Sequence, residues 1–152
     1  MDASTVRAGL RAGAVAGVLS GAPSTAHAVA TGRSPFDALR AAGTLLVPGD
    51  RPPAALSAAG ALAHGAISLG WGVVLAAVLP RRHSVGWGAL AGLAIAGLDL
   101  GVLARRWPRI RALPTAPQVA DHLAYGALVG AVVSRAGTSR RARRARTDAR
   151  RS

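Results

Sequence analysis

The sequence predicts an all-α integral membrane bundle of four transmembrane helices, with a short interfacial amphipathic helix between the first two. Three observations carry this. The chain is 51% apolar and its mean hydropathy is +0.32 despite nineteen basic residues. Its apolar bulk is Ala, Gly, Leu and Val with only 3% aromatics. Burying a Leu or Phe contributes roughly 1.5–3 kcal/mol and Ala far less, so this composition makes a poor water-soluble core. Finally, Gly9, Gly13, Gly17 and Gly21 recur at every fourth residue, and comparable small-residue ladders return in later apolar segments. In lipid, helices associate where small side chains let backbones approach, and a spacing of four lies along one helix face.

The first span is expected over about 7–30. It carries two readings. Arg7 and Arg11 precede an apolar run, and Pro23 with Ala26-His27-Ala28 completes the layout of a cleavable secretory signal. Against cleavage, Gly13, Gly17 and Gly21 interrupt the apolar core and suit a helix docked on other helices, which favours a retained first span. Both readings stay open at this point.

The stretch that follows is too polar to cross. Ser34-Pro35-Phe36-Asp37 reads as an N-cap, a first-turn proline and an acidic third position, predicting a short helix over about 35–47. Phe36, Leu39, Leu46 and Val47 share a face with Gly43 among them, as in a helix lying at the interface or capping the bundle. Pro48-Gly49-Asp50 ends it.

Three further spans are expected at about 54–79, 84–104 and 117–134, each near the 20 or so apolar residues that cross a hydrocarbon core. Pro52, Pro80, Pro108 and Pro117 fall at their boundaries, where a missing N–H costs least. Residues 1–135 thus form a transmembrane domain, and 136–152 a disordered arginine-rich tail.

With four spans, twelve arginines gather with the N-terminus, the turn at Arg81-Arg82 and the tail, against seven on the other side. The positive-inside rule then places both termini in the cytoplasm and the protein in the plasma or inner membrane. Arg105, Arg106, Arg109 and Arg111 pull against this. In the tail, Arg140, Arg141, Arg143, Arg144 and Arg146 suit anionic lipid, at about 1 kcal/mol per charge beside a last span. Nucleic acid is the weaker partner, because no aromatic residue is interleaved for base stacking.

The small-residue ladders also carry the polar groups. Gly60, His64, Ser68 and Gly72 form one stripe; His122, Gly126, Gly130 and Ser134 form another; Gly88, Gly92 and Ala96 lead to Asp99. The packing faces are therefore the polar faces, and Gly9, Gly13, Gly17, Gly21, Gly60, Gly72, Gly88, Gly92, Gly126 and Gly130 are the expected packing glycines. An Asp in a span costs roughly 2.5–3.5 kcal/mol, which makes His64, Asp99, Asp121 and His122 a candidate intramembrane polar cluster in the outer half of the bundle. Such a cluster either holds helices together or relays protons.

No catalytic motif is present: there is no G-x-S-x-G elbow, phosphate loop, H-E-x-x-H or dinucleotide fingerprint, and no cofactor or metal is expected. The absence of cysteine removes thiol chemistry. Gly-Ala-Val-Ala-Gly at 13–17, Ala-His-Gly at 63–65 and Asp-His-Leu-Ala-Tyr-Gly-Ala-Leu-Val-Gly at 121–130 resemble small, uncharacterised four-helix membrane proteins of actinobacteria. The resemblance covers most of 6–135 and implies a multi-pass membrane protein with no established activity.

The expected function is structural or accessory, acting through helix–helix association. The alternatives are a small transporter or channel subunit around the Asp/His pocket, which would call for a homo-oligomer or a membrane-protein partner, and a tethered nucleic-acid binder.

Overall fold

The computed structural model describes residues 1–148, with side chains through residue 135. The described chain is all-helical: α1 (Ala3–Leu19), α2 (Ala22–Ala30), α3 (Asp37–Gly43), α4 (Pro53–Val78), α5 (Ser84–Gly101), a 3-10 turn (Leu103–Arg106), α6 (Pro108–Arg111) and α7 (Thr115–Asp148). Two segments, Pro53–Val78 and Ser84–Arg106, are long and apolar enough to cross a membrane. The expected disordered tail at 136–152, with its lipid-contact arginines, lies outside the residues whose side chains are described.

The first helix begins on a local cap. Asp2 accepts the backbone N–H groups of Ser4 and Thr5, each at 2.8 Å. The Ser4 hydroxyl and the Thr5 N–H hold its carboxylate down at about 2, from an ordinary 3.8.

Two expected elements take a different shape. The helix expected over 7–30 breaks after Leu19, and α2 starts anew at Ala22. Pro23 is the physical reason: it has no N–H for the Leu19 carbonyl, and its ring crowds that carbonyl. The interfacial helix expected over 35–47 is regular only over Asp37–Gly43 and continues as turns. Ser34 does accept the Phe36 N–H at 3.2 Å, but the expected apolar face is split, with Phe36 and Leu46 each 53% exposed and Leu39 and Val47 half-buried. The fully buried positions are the small ones, Gly43 of that face and the neighbouring Ala41. Only small residues let the α3 backbone settle onto α4, where a Cβ on Gly43 would overlap the Leu56 carbonyl.

Packing follows the small residues. α1 lies antiparallel on α4: Gly9 meets Gly72 and Val73, Gly13 meets Ser68 and Leu69, and Gly17 meets Ser68. α5 lies antiparallel on α7: Gly88 meets Gly126, Gly92 meets the His122 carbonyl, and Gly130 meets the Ser84 carbonyl. At all of these glycines except Gly17, which meets the Ser68 side chain, an added Cβ would overlap backbone atoms, so the paired backbones approach closely. The stripe on α4 serves two partners in succession. Its lower part faces α1, whereas Gly60 faces Leu39 and Gly43 of α3, because α1 stops at Leu19.

The two pairs meet chiefly where α1 touches α7, around Ala12, Ala16, Leu75, Ile95, Tyr125 and Val129. Among the described residues α4 and α5 scarcely touch, although only 79–83 separate them in sequence. Each has already spent its close-packing face on another helix.

Candidate functional site

The space left between the pairs is a cavity of about 410 Å³. The break between α1 and α2 forms one wall, α4, α5 and α7 form the sides, and α3, the 3-10 turn and α6 close the end. His64, Asp99, Asp121 and His122 all line it.

The helix break explains two of these residues. When a helix ends, its last carbonyls and the first N–H groups of the next helix lose their partners. The final backbone bond of α1 runs from the Ser20 N–H to Ala16, which leaves the Gly17 carbonyl free of a partner one turn on. His64 on α4 supplies one: its Nε2–H donates to Gly17 at 2.8 Å. At the head of α2, Gly21 has no side chain with which to cap. Asp121, 97 residues away on α7, accepts the Ser24 N–H at 3.0 Å. Both contacts also suit the helix dipoles, an imidazole at a C-terminus and a carboxylate at an N-terminus.

The other two form a pair. Nδ1 of His122 lies 2.8 Å from the Gln118 carbonyl, and Nε2 lies 3.2 Å from Asp99 Oδ2. A carbonyl only accepts, so Nδ1 carries a proton and donates it. The bond to Asp99 then needs a second proton between Nε2 and the carboxylate. Whichever atom holds it, the pair is neutral overall. Asp99 thereby ties α5 to α7 at the point where Gly92 brings the two backbones together.

The four residues expected to converge do share one cavity, but they do not bond as one cluster. Only Asp99 and His122 bond each other; His64 and Asp121 each bond a helix end. Of the expected packing glycines, Gly9, Gly13, Gly60, Gly72, Gly88, Gly92, Gly126 and Gly130 sit at close backbone approaches, and Gly17 meets the Ser68 side chain. Gly21 does not: nothing lies within 4 Å of where its Cβ would be, because the ladder leaves its neighbour at the helix break. Gly43, which the sequence places among the apolar residues of the interfacial helix, is a packing glycine.

Tyr125 and Ser68 were not singled out beforehand as partners. The Tyr125 hydroxyl donates to the Ser68 carbonyl, joining α7 to α4 across the inner end of the cavity. A signal existed: Tyr125 is the chain's only tyrosine and lies in the middle of an apolar span. A buried phenol there needs an acceptor. Gln118 and Ser24 take part through their backbones, which side-chain chemistry cannot announce.

Among the described residues no group of three His, Asp or Glu is placed to hold a metal ion. Comparison of the chain with protein-family models, curated proteins and solved structures returns no match.

Proposed function

We propose that this protein is a multi-pass membrane protein of four spans, made by α1 with α2, by α4, by α5 and by α7, and that it acts as a structural or accessory component through helix–helix association. What carries the reading is an inverted distribution of side chains. The most apolar windows of Pro53–Val78 and Ser84–Arg106 are only 22% and 28% buried. A core helix of a water-soluble domain would be mostly covered. Here Leu62, Val78 and Leu90 are 67%, 66% and 57% exposed, while Gly60, Ser68, Gly72, Ser84, Gly88 and Gly92 are buried. Lipid is the solvent that suits such a surface.

The accessory role is supported by the polar bonds, each of which ties one helix to another. Retention of the N-terminal segment is supported by Ala12 and Ala16, which are 0% exposed in the core. The arginine distribution favours cytoplasmic termini, with the tail against anionic lipid. The cavity favours a second reading, a small transporter or channel subunit.

The absence of cysteine makes the topology directly testable. Asp50→Cys and Arg109→Cys should react with an impermeant maleimide from outside intact cells, and Arg82→Cys only after the membrane is opened. Labelling of Asp50→Cys and Arg82→Cys from the same side would sink the four-span arrangement.

A further inference from the structure

The geometry points to the cavity as a binding site for an organic monocation, an ammonium group beside Asp121 with an apolar body against Ile67, Trp71 and Ile95. This goes beyond a packing role. At about 410 Å³ the space falls within the roughly 300–1,000 Å³ of small-molecule sites, and like them it combines apolar walls with a few fixed polar groups.

Charge selects the ligand class. The chain carries a formal net charge of +13, yet none of the described arginines lines this cavity. Its ionisable wall is Asp99, Asp121, His64 and His122. The Asp99–His122 pair is neutral as a unit, and His64 spends one nitrogen on Gly17. Asp121 accepts the Ser24 N–H through Oδ1 and is also met by the Ser24 hydroxyl; a carboxylate has about four lone-pair sites, so acceptor capacity remains for a ligand. An ammonium there would gain a charge-assisted hydrogen bond, whereas an anion would be repelled by the carboxylate.

The test uses the full-length protein purified in nanodiscs, with Trp87→Phe and Trp107→Phe leaving Trp71 as the one fluorophore of the original three tryptophans. The probes are 4-phenylbutylammonium, its neutral counterpart 4-phenylbutanol, and the anion 4-phenylbutyrate. The ammonium should change Trp71 emission saturably, at a concentration about tenfold or more below that needed by the alcohol, with the anion weakest. Asp121→Asn should erase the preference for the ammonium while leaving the thermal unfolding midpoint in place, since an Asn oxygen still accepts the Ser24 N–H.

The proposal is overturned if Trp71 does not respond, if alcohol and ammonium act alike, as a space for lipid tails would require, or if Asp121→Asn keeps the preference. The ranking of the three probes in the unsubstituted Asp121 protein decides the matter even if the variant does not fold. Because binding is read on purified protein, its failure is distinguishable from a failure of the four-span topology.

Discussion

Within each helix pair the backbones touch; between the pairs, side chains have to reach. In α1/α4 and α5/α7 the contacts run glycine to carbonyl, with no side chain interposed at Gly72 or Gly126. Across the gap, α7 reaches out with Asp121 to α2 and with Tyr125 to α4. The difference teaches where the cavity comes from. A helix has one narrow face able to support such an approach, and α4 and α5 have each committed theirs elsewhere. The volume between them is left to be spanned by polar groups rather than filled by large apolar ones.

The largest expected effect lies in a seam. Gly126→Val would drive a branched side chain into the backbone of Gly88 and Gly92, neither of which can move without the whole of α5. Overpacking of this kind costs about 3 kcal/mol or more, and the expected result in a detergent unfolding titration is loss of the folded bundle. Gly97→Ala, five residues beyond the contact glycine Gly92 on the same helix, meets nothing within 4 Å. It should instead stabilise by roughly 0.5–1 kcal/mol through helix propensity alone. If both substitutions moved stability the same way, the distinction between seam and free glycines would be lost.

The polar contacts between the pairs should matter less. Asp121→Ala removes the cap from α2 and is expected to cost about 1 kcal/mol in the same titration, whereas Asp121→Asn keeps an acceptor and should cost only a small part of that. Equal losses would mean that the charge, and not the hydrogen bond, holds α2 in place.

These contrasts mark what was legible in the sequence. The helical class, the apolar segments and most of the packing glycines follow from periodicities that act within one element, as with Gly88 and Gly92 or Gly126 and Gly130. Pairing did not. Nothing in the spacing of Gly60, His64, Ser68 and Gly72 reveals that α3 takes the first position and α1 the others, because that division depends on where α1 stops. The stop itself was written at Pro23, but its cost had to be weighed against a glycine ladder that pointed through it. Asp121 shows the same limit. Its cap on α2 spans 97 positions and meets a backbone N–H, a group every residue but proline carries.

The cap on α1 is the local counterpart, and it gives the smallest effect and the sharpest comparison. Asp2 lies two and three positions from the N–H groups it accepts, so no tertiary fold is needed to form it. Its folded value of about 2 lies below the 3.8 of an unconstrained aspartate. A depressed carboxylate contributes its stabilisation above the unconstrained value and loses it as pH falls through the folded one. The amide resonances of Ser4 and Thr5 should therefore titrate with a midpoint near 2, together and without disturbance of the α1/α4 seam at Gly9. Asp2→Ala should abolish the titration and fray only the first turn, because Asp2 is exposed and its cap bonds reach only Ser4 and Thr5 among the described residues. A midpoint near 3.8 would show that the carboxylate is free in solution, and a simultaneous shift at Gly9 would show that local capping and seam packing are one cooperative unit.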